Sequence, residues 1–333
     1  MTAGLCFSSC GLQAGSDKST FTLYAPDGAP ALAVAGMMQE DFFIEYGGKR
    51  AEIDCYAVNP TLIATKVTNK DEGKNADFCI LPLTAASKLL GSGENYALLG
   101  AVTHGNLYLV SANSGVQYTQ ENLSALQGKT VGVLQINEVP GLVLKTALVG
   151  GGVAWQECKN DGNKAEDKVN LVAISSPAEL GVVDADCYLL GEPAASAQAG
   201  KGYAIVGSLQ ELYGGENGYP QAVLVGKKSV MADKAFTAAF AKAVAKSAEW
   251  LKAAEGAEIV SRVTASLEDS AYATTLKAPL LTTEVLGRCG VRFTQTKDCK
   301  AEVEAFLTAA ATVNAQMAVL PQTAFYYMED LGV

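Results

Sequence analysis

The chain has 333 residues, 49% hydrophobic and 18% charged, a core-forming composition long enough for two domains or one large α/β domain. Its 25 basic and 35 acidic residues leave a net charge of −10, which argues against a nucleic-acid backbone as main partner. No apolar run reaches the ~18–20 residues that span a bilayer, and a single His with no Cys-x-x-Cys pair argues against a zinc site.

The chain opens with Leu5-Cys-Phe-Ser-Ser-Cys10-Gly, small residues ending in Cys, followed by a polar Ser/Gly-containing stretch to Thr20. This is similar to the end of a bacterial lipoprotein signal and its tether, with Cys10 as the lipid anchor, although the basic and fully apolar parts of such a signal are missing. Residues 1–19 are therefore read as a lipoprotein-like leader and tether, against the alternative of a ragged N-terminus.

Phe21 to Ala25 reads as a buried strand, Pro26-Asp-Gly as a tight turn, and Pro30 as the opening of a helix. Gly28 supplies a backbone angle that other residues resist. The free N–H groups of such a helix start suit an anion or a carbonyl oxygen, while the plain alternative is an ordinary βα connection. A second strand spans 51–58. Asn59-Pro60 opens a helix over 61–70 with Leu62, Ile63 and Val67 on one face. A third strand, 76–82, stops at Pro82, and Thr84 is placed to cap a helix over 85–90. Short links between these β/α units predict a parallel sheet with ligands beyond its carboxyl strand ends, so the Pro26–Pro30 and Pro82–Thr84 turns should be neighbours.

The extended apolar run 98–111, broken at His104-Gly105-Asn106, is long enough to pass from one domain to another. The pattern then restarts. A short helix over 122–128 precedes a strand at 129–134, the polar turn Gln135-Ile-Asn137-Glu138 and a helix opened by Pro140. Strands at 169–174 and 185–190 follow, the second ending in Gly191-Glu192-Pro193, with a short helix between them after Ser176. Tyr203–Leu209 and Tyr219–Gly226 are further strands, the latter apolar enough to return to the first domain. Residues 232–254 and 299–314 carry helical spacing, and 317–327 is an irregular aromatic tail. The architecture is α/β: two β/α lobes joined by two crossings near 105–112 and 219–226. The boundaries are 20–108 plus 225–333 for lobe 1 and 109–224 for lobe 2, an arrangement suited to hinge closure.

These segments resemble, in order, the periplasmic-binding-protein type 2 fold, specifically the sulfonate/nitrate/taurine and thiamine-pyrimidine-precursor group of ABC transporter substrate-binding proteins. The carriers are Ala25-Pro-Asp-Gly-Ala-Pro-Ala-Leu-Ala, Ala76-Asp-Phe-Cys-Ile-Leu-Pro-Leu-Thr, Leu126-Gln-Gly-Lys-Thr-Val-Gly-Val, Val139-Pro-Gly-Leu-Val-Leu, Leu190-Gly-Glu-Pro, Tyr219-Pro-Gln-Ala-Val-Leu-Val and Leu320-Pro-Gln-Thr-Ala-Phe-Tyr-Tyr. The resemblance implies an extracytoplasmic, monomeric receptor that captures a small molecule between its lobes and hands it to a membrane permease. It sits on the extracellular face of the membrane by its lipid, or in the periplasm, and touches the membrane only through that lipid. By position, the resemblance implies ligand contacts from Asp27, Gly28, Ala29, Leu83, Thr84, His104, Asn106, Gln135, Asn137, Glu138, Glu192 and Tyr219. It implies no cofactor, no metal and no catalytic residue. An enzyme like the thiamine-pyrimidine synthases, or a ligand-sensing receptor without a permease, stays as the alternative.

Asp27, Glu138 and Glu192 put acids where a sulfonate binder wants donors, and these turns hold no Arg or Lys. A neutral or cationic heterocycle or amine is therefore favoured, Tyr219 being placed to stack on its ring, with sulfonate and nitrate left open. Gly150-Gly151-Gly152 is a helix end and not a phosphate cradle, because no Lys-Ser/Thr follows. Cys289 and Cys299 are close enough in sequence to bridge in an oxidising compartment, and Cys55, Cys79 and Cys187 read as buried thiols.

Overall fold

The computed structural model describes residues 19–213 and 218–333. The expected anchor Cys10 lies outside the described residues. The first half of the chain alternates short strands and helices: β1 (Ser19–Pro26), α1 (Ala29–Leu32), β2 (Phe43–Tyr46), β3 (Lys49–Val58), β4 (Phe78–Pro82), α2 (Leu83–Leu90), β5 (Tyr96–Thr103) and β6 (Leu107–Ser111). It continues with β7 (Thr130–Leu134), α3 (Val139–Gly150), β8 (Trp155–Glu157), β9 (Val169–Ile174), β10 (Cys187–Gly191), β11 (Ala204–Ser208) and α4 (Leu209–Tyr213). The remainder is β12 (Ala222–Lys227), α5 (Lys228–Met231), α6 (Lys234–Leu251), α7 (Gly256–Ala265), α8 (Thr283–Arg288), β13 (Val291–Gln295) and α9 (Thr296–Val313).

The strands form two sheets. One has seven strands in the order β13-β5-β12-β4-β1-β3-β2, the other six in the order β11-β6-β10-β7-β9-β8. In the first, β1 runs parallel to β3 and β4, while β12 is antiparallel to both β4 and β5. In the second, β7 runs parallel to β9 and β10, and β6 is antiparallel to β10 and β11. The carboxyl ends of β1, β3, β4 and β5 thus share one edge of the first sheet. Those of β7, β9, β10 and β11 share one edge of the second.

The chain crosses between these two edges twice. It leaves β5 at Thr103 and enters β6 at Leu107, which pairs with Gly191 at the end of β10. It leaves β11 at Ser208 and re-enters the first sheet at Ala222, which pairs with Pro82 and Thr103. The carboxyl strand ends of the two lobes therefore face each other across the crossings. The break at 104–106 falls where the apolar run is interrupted by polar residues and a positive-φ glycine, Gly105.

Burial explains the elements that periodicity marks. Every residue of β5 and β6 is buried, which is why 98–111 reads as one apolar run. Helix α6 presents Phe236, Phe240, Val244 and Leu251 inward and is capped by Asp233, whose carboxylate accepts from the Phe236 amide. Helix α3 is mostly apolar because most of it is covered, with β7 on one flank and α4 and α9 on others, while Val149 and Gly150 at its end are exposed. Helix α9 packs on β5 and β13 and also on α3 of the second lobe, so it does not simply wrap the first lobe as the chain order implies. One apolar cluster runs through Leu81 and Leu98 of the first sheet, Val131 and Leu189 of the second, Leu144 of α3 and Phe306 of α9.

Several local expectations change. The 61–70 segment is a 3-10 helix, Pro60–Lys66, capped by Asn59; Ile63 is buried but Leu62 faces solvent. Thr84 does not cap, because α2 already starts at Leu83 with Pro82 in the capping position. Glu138 precedes α3 as its N-cap residue, in extended backbone and without a side-chain capping bond, where a place in the first turn was expected. Cys289 and Cys299 are both free, buried thiols. Among the described residues no helix is long and apolar enough to cross a membrane.

Candidate functional site

The Pro26-Asp-Gly turn forms as expected. Gly28 takes φ +98° and leads into α1, which has Pro30 in its first turn. A side chain at Gly28 would meet nothing, so this turn borders open space. Asp27 beside it does not face that space. It is buried, and its carboxylate accepts four hydrogen bonds from one loop: Thr274 Oγ1 at 2.6 Å, Thr275 N at 2.7 Å, Thr275 Oγ1 at 2.8 Å and Tyr272 OH at 3.1 Å. Burial first, and the Asp27 charge second, push the Tyr272 phenol up to about 12, so it stays a donor. This carboxylate fixes the loop that follows α7 onto the end of β1.

The two crossings are tied to each other and to α2. Gln221 N donates to Thr103 O at 2.9 Å, Ala222 N to Thr103 Oγ1 at 3.0 Å, and Leu83 N to Gln221 O at 2.9 Å. Leu83 and Thr84, both buried, therefore stand against the second crossing. His104 N donates to Gly290 O at 2.9 Å. Gly290 has φ +63°, and a Cβ there would lie 2.1 Å from Gly105 O, so only glycine lets the corner between α8 and β13 press onto the first crossing.

Buried side-chain atoms without a hydrogen-bond partner gather here. Among the described residues there are six such atoms, and four belong to the crossings: His104 Nδ1, Asn106 Oδ1, Tyr219 OH and Gln221 Oε1. Leaving a buried polar atom unpaired costs about 1–3 kcal/mol, so their concentration in two short segments is a physical signal. All four are uncharged. His104 Nε2 lies 3.2 Å from Thr294 Oγ1, and burial, reinforced by the Arg292 charge and only partly offset by the Ala101 and Arg292 backbone, pulls its pKa down to about 3, which keeps the ring neutral. The Tyr219 ring is fully buried and stacks on Phe306 at 5.7 Å, so Phe306 occupies one of its faces.

A cavity of about 950 Å³ opens beside the first crossing, with walls from both lobes. His104, Gly105, Tyr108 and Gln210 line it, together with Arg288 and Arg292 from the α8–β13 corner. Its size suits a small molecule. Of the twelve expected contact residues, His104 lines this cavity; Asp27, Gly28, Ala29, Leu83, Thr84, Asn106, Gln135, Asn137, Glu138, Glu192 and Tyr219 do not.

On the second lobe, the register puts Gln135 next to Gly191, since Leu189 pairs with Val133 on parallel strands. Gln135, Asn137 and Glu138 are exposed on this edge. Glu192 follows Gly191 and is buried. Its carboxylate accepts from Ser196 N at 3.0 Å, Ser196 Oγ at 2.6 Å and Arg288 Nε at 2.6 Å. Asn106 Nδ2 donates to Glu192 O at 3.4 Å, and Glu192 N to Asn106 O at 2.9 Å. The structure thus gathers Leu83, Thr84, Asn106, Glu192 and the second crossing at the junction. Gly28 and the buried Ala29 follow β1, the strand beside β4, while Gln135, Asn137 and Glu138 are exposed beyond β7 of the second sheet.

Sequence reasoning missed Gln221, Arg288 and the Tyr272–Thr275 loop. Gln221, a polar residue at the head of the apolar β12, carried a readable signal. The other two carried none, because their partners lie far away in sequence. Among the described residues, no group of three or more His, Cys, Asp and Glu side chains is arranged to hold a metal.

Solved structures share this fold. An ABC transporter structure from Parabacteroides distasonis superposes with a TM-score of 0.70 at 18% identity, covering 94% of this chain and 100% of its own. The periplasmic aliphatic sulphonate binding protein SsuA from Escherichia coli gives 0.61 at 12% identity over 92% of this chain and 96% of its own. The ligand binding component of an ABC-type import system from Staphylococcus aureus, solved with zinc bound, gives 0.58 at 12% over 93% and 97%. No protein-family model matches the sequence, and no curated protein matches it. The chain has the two-lobed α/β fold of ABC transporter substrate-binding proteins.

Proposed function

We propose that this protein is an extracytoplasmic solute-binding component of an ABC importer, which captures a small organic molecule at the junction of its lobes and delivers it to a membrane permease. The fold supports the general role. The observation that carries the reading is that the two crossings hold four buried, unpartnered polar atoms, one of them on His104, which lines the cavity between the lobes. The lobes in this reading are 20–108 with 225–333 and 109–224. Both bounds fall two to three residues inside a strand, since β6 of the six-stranded sheet starts at Leu107 and β12 of the seven-stranded sheet at Ala222.

The preference for a neutral or cationic solute over an anion rested on Asp27, Glu138 and Glu192 as free acids. Asp27 and Glu192 instead have full sets of protein partners. The groups left over are a neutral imidazole, two amide oxygens and a phenol. That set favours a neutral, polar heterocycle or amide-like solute with its own N–H or O–H donors over a strongly charged one. A binding role without catalysis is supported by His104 itself. A general base works best with a pKa near the working pH, and about 3 is far below it. Tethering to the membrane through Cys10 and hinge closure are parts of the same proposal.

A thermal-shift screen of neutral pyrimidines, amines, sulfonates and nitrate tests it. A true solute at 100-fold its dissociation constant adds about 2.7 kcal/mol of stability. A hit among the neutral heterocycles is the expected result. A panel without any hit, or turnover of the bound compound, counts against the reading.

A further inference from the structure

Glu192 and Arg288 belong to different lobes. Glu192 follows β10 of the six-stranded sheet, whereas Arg288 ends α8, just before β13 of the seven-stranded sheet. The Arg288 Nε–Glu192 Oε1 distance is 2.6 Å, and Arg288 Nη2 donates to Ser196 Oγ at 2.7 Å. A third bond crosses the same seam: Tyr108 OH of β6 donates to Arg288 O at 3.1 Å. The Glu192 side chain is 0% exposed and that of Arg288 24%. Arg288 Nη1 also donates to Glu284 of its own helix, which keeps the guanidinium partnered when Glu192 is lost. The cavity beside it gives the guanidinium room to withdraw.

Separating the lobes breaks all three bonds and leaves a buried carboxylate to be rehydrated. A buried pair of this kind is costly to break on one side, but tolerates replacement of both partners by neutral groups of similar size. We propose that Arg288 is a positioning residue for solute capture. It latches Glu192 and Ser196 across the seam and so sets how far the lobes open. The proposal deepens the solute-binding reading and rests on it for its purpose, though not for its test.

The test uses the full chain without added solute. Arg288→Met and the double variant Glu192→Gln/Arg288→Met are compared with the parent by small-angle scattering and by hydrogen exchange at the Leu107 and Glu192 amides. The expected result is a larger radius of gyration and exchange faster by about 5- to 150-fold, the usual range for coupling between sites. Arg288→Lys, which keeps the charge but not the second bond to Ser196, should restore part of both. If the single variant does not fold, the double variant decides, because it leaves no unpaired buried charge. Parent-like scattering and exchange in a folded double variant overturn the latch. They leave the solute-binding reading standing, since no solute enters the measurement.

Discussion

The turn after β1 and the two crossings lie on the same edge of the seven-stranded sheet, yet they treat polar groups in opposite ways. At the turn, a charged group is fully served: Asp27 takes four hydrogen bonds from the loop after α7. At the crossings, uncharged groups are buried without partners. The turn is built for stability. The crossings forgo stability, which is the usual mark of a site shaped for something other than folding.

Breaking the served region should have the largest effect. Asp27→Ala leaves the Thr275 amide and three hydroxyls without their acceptor, and is expected to lower stability by about 3 kcal/mol. Urea unfolding monitored through the tryptophans checks this. A loss under about 0.5 kcal/mol would mean that the 272–275 loop does not depend on Asp27.

The next effect comes from pH. Because burial holds the His104 pKa near 3, against 6.5 for a free imidazole, the unfolded chain binds the proton more readily between these values. The His104 contribution is therefore present above about pH 6.5 and is lost as pH falls toward 3. Between pH 6.5 and 5 it should remove about 1–2 kcal/mol. His104→Gln is expected to flatten that part of the profile. An unchanged acid slope in the variant would place the titration elsewhere.

Smaller still is the effect of removing a single unpartnered atom. Tyr219→Phe deletes a buried hydroxyl and keeps the ring stacked on Phe306. Stability should hold or rise by about 1 kcal/mol, while the thermal shift produced by a screening hit should shrink. A clear loss of stability would show that the hydroxyl has a structural partner. In the exposed turn beyond β7, Asn137→Ala should change stability by less than about 0.5 kcal/mol. Calorimetric titration of a hit then shows whether that turn touches the solute or only the crossings do.

The comparison also marks where sequence reading succeeds. Patterns carried by neighbours in the chain were legible: the strand and positive-φ turn at Gly28, the break at 104–106, and the apolar stripes of α6 and α9. Strand direction then put the carboxyl ends on facing edges. What stayed hidden depends on partners distant in the chain. Asp27 and Glu192 looked like free acids because the loop that meets Asp27 lies 248 residues away at Thr275, and Arg288 lies 96 residues from Glu192. Local signals also failed where two competed. Pro82 took the capping position that Thr84 was expected to fill, and Asn59-Pro60 began a tight 3-10 helix in place of an α-helix.

The chain contains one His, so the imidazole nitrogen spectrum of untagged protein reports on the first crossing alone. The most direct measurement is to record that spectrum while adding the compound that gives the largest thermal shift. Capture at the crossings predicts that the His104 Nδ1 resonance moves in proportion to saturation. A compound that stabilises the protein to saturation while leaving both imidazole resonances in place contradicts it.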